Sequence, residues 1–365
     1  LISSQWGKTA SLAAGQRSGG SRIGCGVGTQ PSGTERLKNR AVLTSTMTVT
    51  FGSAAADPGE IDVGRLVVGA NRHGQDVGLP VAVVNGASDG KRLYLQAVSD
   101  GNELNGLGVI RRVVPRLDPA DLAGEILIVG VVNHYGFEVA EHRNPVDDRK
   151  LNRTFPGDDE GTTSERIAAA VFEAAQTADL ILDLHQGSTS RMIEEVRVRC
   201  GRRHSMHSEC LRLAKVFGCG YVLDQKGPEG QLARVAPDDG IPTVDPELGG
   251  SVGFDEESVQ TGVEGVFNVL RYYDFLDGET PTDRQTRAKR FDQYGAPAGG
   301  LVDYVAELGD RVDSDYTLFE VTDPFGEVIA EVTADNSGVF WRSRRLPQVA
   351  VGEYVCSVGT NVDSY

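Results

Sequence analysis

Four short apolar runs, each breaking off at a polar residue, limit the folds open to this chain more than any other feature. RLYLQAV gives way to SDGNE, EILIVGVV to NHYG, LILDL to His185, and PTVD to Pro246 and Glu247. Short continuous apolar runs bounded by turn residues are the pattern of strands buried on both faces. Between them stand helical patterns: ELNGLGVIRRVV, SERIAAAVFEAA, MHSECLRLAKVFG and FDEESVQTGVEGVFNVLRYYDFL. The second opens with Thr162-x-x-Glu165, the spacing at which two side chains satisfy orphan backbone donors at a helix start. RLVVGA and LPVAVVNG read as a further pair of strands. Strands alternating with helices predict an α/β fold, with a mostly parallel central sheet flanked by helices. Ligands of such sheets gather at the carboxyl ends of the strands.

The organisation follows from composition. Residues 1–46 are rich in Ser, Gly, Thr and Arg and lack periodicity, and are read as a disordered tail or translated upstream sequence ahead of Met47. Residues 47–280 hold the α/β pattern. Residues 281–298 turn polar, as a linker would. From 299 to 365 helical pattern gives way to short strands and Gly/Asp/Asn turns, which predicts a small all-β domain.

The net charge is −16, and residues 1–46 hold six basic residues and one acid, so the rest is more acidic still. Such a surface repels nucleic acid and anionic membranes and argues against either partner. No apolar run reaches the roughly 18–20 residues of a membrane span. With seven lysines against 29 arginines, the composition resembles that of salt-loving proteins, in which salt screens self-repulsion. Five scattered cysteines without CxxC spacing argue against a disulfide framework and a cysteine metal site, and for a reducing cytoplasm.

The strand ends carry the chemistry. Asp100 and Glu103 follow one run, His185 ends another and Glu247 a third. On one sheet edge these would converge as two carboxylates and an imidazole suited to a divalent metal, with a further carboxylate to move protons. A long aperiodic stretch, residues 133–161, adds Arg143, Asn152 and Arg153, planar donors that bind a carboxylate or an oxyanion. Each has a plainer reading by itself: a solvated Asp-x-x-Glu turn, a hydrogen-bonded histidine, ordinary loop polarity, surface ion pairs.

Taken in order, GNELNG, DRKLNRTFPG, DLHQGS and ELGG resemble the succinylglutamate desuccinylase/aspartoacylase family, in the branch with a C-terminal β domain. The resemblance implies a zinc-carboxypeptidase-like fold and a deacylase cleaving the amide of an N-acyl amino acid or similar small carboxylated substrate. By the same resemblance Glu103 and His185 match zinc ligands, and Glu247 matches the general base, with Pro246 an unusual predecessor. Asn152 and Arg153 match the pair holding a substrate carboxylate, Arg143 the group polarising the scissile carbonyl, and Arg191 a pocket residue. Asp100 stands where the family has a ligand histidine. Carboxylate oxygen binds zinc at nearly the same length, but a more negative donor set lowers Lewis acidity and favours harder ions such as Mn2+. Three readings follow: a zinc enzyme, an enzyme of another divalent metal, or a carboxylate-binding homologue without catalysis. A carboxypeptidase or esterase of the same fold is a further alternative.

The β domain resembles the barrel-sandwich shape of biotinyl and lipoyl carriers. Carriers need an exposed lysine, and none follows Lys289. Packing, dimerisation into a homo-oligomer, or covering the active site remain as its roles.

Overall fold

The computed structural model describes residues 47–188, 190–250, 253–281 and 283–365, and the segment 1–46 lies outside them. A ten-stranded sheet dominates. Its centre is parallel: Thr243–Glu247, Leu180–Leu184, Ser88–Ala97 and Ala123–Val129 lie side by side in that order, all running the same way. These are the four runs of the sequence reading.

The sheet as a whole is mixed: five of its nine strand pairings are parallel, and the antiparallel ones lie outside the central four strands. Asp76–Asn85 adds antiparallel to Ala123–Val129, and Glu60–Ala70 adds antiparallel to that. On the other side Glu195–Val198 runs antiparallel to Thr243–Glu247. Tyr221–Asp224 and Thr286–Ala288 then continue parallel to Glu195–Val198.

Alternation sets the core. Leu93, Leu95 and Ala97 face one apolar cluster with the helices Asn105–Val113, His207–Phe217 and Glu256–Tyr272. Tyr94, between them, faces the other cluster with the helix Thr163–Ala175. Successive strand side chains point to opposite faces, so a sheet covered on both sides is apolar at most of its positions. Leu93 and Leu95, both fully buried, each contribute roughly 1.5–3 kcal/mol by leaving water. Thr163–Ala175 starts as its spacing predicts: Thr162 and Glu165 exchange both bonds of the capping box.

Two antiparallel sheets follow in the C-terminal region. One joins Arg290–Gly295, Tyr354–Thr360, Gly338–Arg344 and Arg311–Val312, and the other Val328–Thr333, Thr317–Thr322, Gly300–Tyr304 and Gln348–Val349. They share an apolar cluster that includes Val302, Phe319, Phe340 and Val358. The region is tied to the central sheet. Ser190–Met192 pairs with Gly338–Arg344, and Asp363–Ser364 with Thr286–Ala288. The polar stretch 281–298 carries Thr286–Ala288 and Arg290–Gly295, one strand for each part of the molecule. Among the described residues Cys200, Cys210, Cys219 and Cys356 are free thiols, and no helix is long and apolar enough to cross a membrane.

Candidate metal centre and its cavity

Because the central strands are parallel, their carboxyl ends meet at one edge. Val98 leaves its strand with φ +60°, a left-handed conformation costly for a β-branched residue. It turns the chain so that Asp100 and Glu103 face back over the sheet. Gly101 lies between them because nothing larger fits. A Cβ there would collide with the backbone of Gly136 and Glu141 in the polar loop.

The ends of the next two strands are stitched together. The His185 amide donates to the Pro246 carbonyl (2.8 Å), and the Leu248 amide donates to the His185 carbonyl (2.8 Å). Pro246 takes part in this ladder through its carbonyl alone, since it has no N–H to donate.

Asp100, Glu103 and His185 are all buried, and one donor atom from each lies within 4.8 Å of the others. His185 turns Nδ1 to Glu103 (3.0 Å) and to Asp100 (3.8 Å). Its Nε2 lies 3.0 Å from Asp183 Oδ2. Nδ1 is therefore the ring nitrogen that faces the carboxylates and the one a metal ion there would take, while Asp183 and the Asn152 amide face Nε2 and orient the ring. Asp183 is itself held: its Oδ1 accepts from Gln96 (2.9 Å) and Ser99 (3.2 Å). Burial raises the pKa of Asp100 against the pull of Lys150, and raises that of Glu103 with help from Asp100. Two buried carboxylates short of counter-charge, with Asp100 Oδ1 lacking a hydrogen-bond partner, fit a divalent cation.

Asn152 and Arg153 reach the same place from the loop. Asn152 Oδ1 accepts from the Leu232 amide (3.1 Å), which aims its Nδ2 at His185 Nε2 (2.9 Å). Both residues line a cavity of about 270 Å³, together with Asp100, Glu103, His185 and Glu247. Six of the eight residues singled out in the sequence are therefore together. The other two are not. Arg143 is 57% exposed and donates to the Asp148 carbonyl (2.6 Å). Arg191 is exposed on the Ser190–Met192 strand.

Other cations take their place. Arg197, Arg199 and Arg342 line the cavity, as do Lys150, Asp245 and His142. Arg197 and Arg199 had a readable signal: in EVRVRC they alternate with valines, and so do Asp245 and Glu247 two residues apart, so each pair shares a strand face. Arg342 had none, since it arrives from the C-terminal region.

Arg197 forms ion pairs with Glu247 and with Glu195. Burial works against the charged form of Glu247, but Arg197 and His185 outweigh it and hold its pKa down to about 2. Between pH 4.5, its ordinary value, and about 2 the folded chain binds fewer protons here than the unfolded one. The stability this group adds is thus complete above pH 4.5 and is lost as pH falls toward 2. Asp245 acts oppositely: burial lifts it to about 6 despite Arg199, so its cost fades as pH drops below 6. Urea unfolding at a series of pH values should show a shallower loss of stability below pH 4.5 in Glu247→Gln than in the parent. Parallel curves would refute the assignment.

Comparison with known proteins identifies the family and the fold. The family model for the succinylglutamate desuccinylase/aspartoacylase catalytic domain matches residues 89–273. An N-alpha-acetyl-L-2,4-diaminobutyric acid deacetylase of Halomonas elongata is 27% identical over 298 residues, 78% of this chain and 86% of the relative. Two of the solved structures that share the fold do so at TM-score 0.75. A succinylglutamate desuccinylase from Silicibacter sp. TM1040 is 23% identical, with 88% of this chain and 99% of that one covered. The product-bound ectoine utilization protein of Ruegeria pomeroyi is 22% identical, with 86% and 98% covered.

Proposed function

This chain belongs to the succinylglutamate desuccinylase/aspartoacylase family, and from that we propose that it is a metal-dependent deacylase. It hydrolyses the amide of an N-acyl amino acid or a similar small carboxylated substrate. One observation carries the reading: the donor trio, Glu247 and the Asn152–Arg153 pair share a single cavity. The deacetylase relative supports the reaction class.

Asp100, Glu103 and His185 would hold the ion. Zinc is the ion the family implies, and the second carboxylate extends the choice to Mn2+. When bound, it would polarise the scissile carbonyl and lower the pKa of the attacking water. The chain does the rest. Glu247 takes the proton of that water and passes it to the leaving amine. Asn152 and Arg153 hold the substrate carboxylate. Five cationic side chains against four carboxylates line the cavity, so with a divalent ion added the site is net positive and selects anions. Arg197 holds Glu247 in its charged, proton-accepting form, and a substrate carboxylate offers Arg197 another partner.

A second reading has one observation behind it. Lys150 Nζ lies 3.5 Å from Asp100 Oδ2, and an ammonium there offsets part of the charge that would attract a metal. On that reading the chain binds small carboxylates without metal or turnover.

The test is metal content and turnover of protein purified in high salt without chelator. The expected result is about one divalent ion per chain, with amine released from N-acetyl or N-succinyl amino acids in preference to peptides or esters. Folded protein that stays metal-free in excess zinc and manganese would put the second reading first.

A further inference from the structure

A second imidazole faces the two carboxylates, and it belongs to none of the strand ends. His142 sits in the polar loop. Its Nε2 lies 3.5 Å from Asp100 Oδ1, and its Nδ1 lies 3.6 Å from Glu103 Oε1. The turn is shaped for this approach, since Gly101 leaves room for the loop backbone at 136–141 to lie against it. On the other side Ser188 Oγ is 3.5 Å from Nδ1.

The spacing is informative. Donors arranged tetrahedrally about 2.0–2.1 Å from a zinc ion stand about 3.3 Å from one another. His142 stands at about that separation from each carboxylate, through Nε2 toward Asp100 (3.5 Å) and through its other ring nitrogen, Nδ1, toward Glu103 (3.6 Å), and it lies beside the Asp100, Glu103 and His185 trio whose single donor atoms are already in mutual reach. The charge points the same way. Asp100 and Glu103 already cancel a divalent ion, so any further donor should be neutral, as an imidazole is. Asp100 is also the weaker of the two carboxylate donors, because Lys150 draws on its other oxygen. The oxygen it turns to His142 is the one without a hydrogen-bond partner.

We propose that His142 is a further ligand of the metal centre, giving it two imidazoles and two carboxylates. The family motif places its histidine at the position of Asp100. Here the imidazole reaches the centre from the loop. The inference rests on the metal-dependent reading above.

X-ray absorption on the zinc-loaded full chain counts imidazole ligands, and chelator competition gives the zinc affinity. The parent should show two imidazoles. His142→Asn should show one, with affinity lowered at least a hundredfold, more than the tenfold to hundredfold typical of an outer partner. His134→Asn, a loop histidine paired with Glu138, should change neither reading. Matching melting curves of the metal-free proteins would show that the variant folds. One imidazole in the parent, with unchanged affinity in His142→Asn, would overturn the ligand assignment and leave the metal-dependent reading standing. A parent that binds no zinc would overturn both.

Discussion

Glu247→Gln should lower kcat/KM by about 10²–10⁴, the range general acid–base groups supply, while metal content stays at the parent level. Glutamine keeps the size and the hydrogen-bonding carbonyl of glutamate but cannot take a proton near neutral pH. Glu247 is not among the three donors within mutual reach, so the loss should lie in the proton transfer. It should appear in kcat, with KM little changed, if Asn152 and Arg153 bind the carboxylate as proposed. Arg197 loses one ion partner but keeps Glu195 at 2.6 Å, so the fold should persist. Activity within tenfold of the parent would remove Glu247 as the base. A parallel loss of metal would make it a ligand instead.

Arg197→Met should cost roughly 3–5 kcal/mol of stability, the penalty for removing one member of a buried ion network. The guanidinium is 7% exposed and lies between Glu195 and Glu247, which are 0% and 6% exposed. Methionine fills much of the volume and leaves two carboxylates in a low-dielectric interior without their cation. Glu195 would keep only its bond from Trp341 Nε1 (2.6 Å), a residue of the C-terminal region. The loss would therefore weaken the junction between the two parts of the molecule as well as the site. The Arg92–Glu125 pair is a control of similar length (2.8 Å) with both side chains about a quarter exposed. Pairs near water contribute about 0–1 kcal/mol, so Arg92→Met should be nearly silent. Urea unfolding measures both, and a loss below about 1 kcal/mol for Arg197→Met would show that the network is not holding the fold.

The parts of the site that could be read in the sequence are those that regular structure positions. Asp100, Glu103, His185 and Glu247 are legible because each follows an apolar run, and parallel strands bring such ends to one edge. The reversal of direction at Glu195–Val198 was hidden, because the alternation of a four-residue strand says which side chains share a face but not which neighbour it pairs with or in which direction. The polar loop was harder. Its stretch has no period, so nothing in RNPVDDRKLNR says that Asn152 turns inward while Arg143 reaches Asp148 at the surface. His142 is unreadable for the same reason: its approach depends on how the loop packs on Gly101, a contact between residues forty positions apart. Arg342 depends on the junction with the C-terminal region, which local pattern does not encode.

The stitching of His185 to Pro246 and Leu248 divides the site by timescale. One donor and the proposed base lie on strand ends that share backbone bonds within a buried sheet, and such segments open only on the timescale of global unfolding. Lys150, Asn152, Arg153 and His142 lie on a loop, where segments open locally and far more often. Exchange of amide hydrogens should separate the two groups. Any slow step in admitting substrate or releasing amine then belongs to the loop, and a substitution that stiffens it should alter turnover without moving the strand-borne groups.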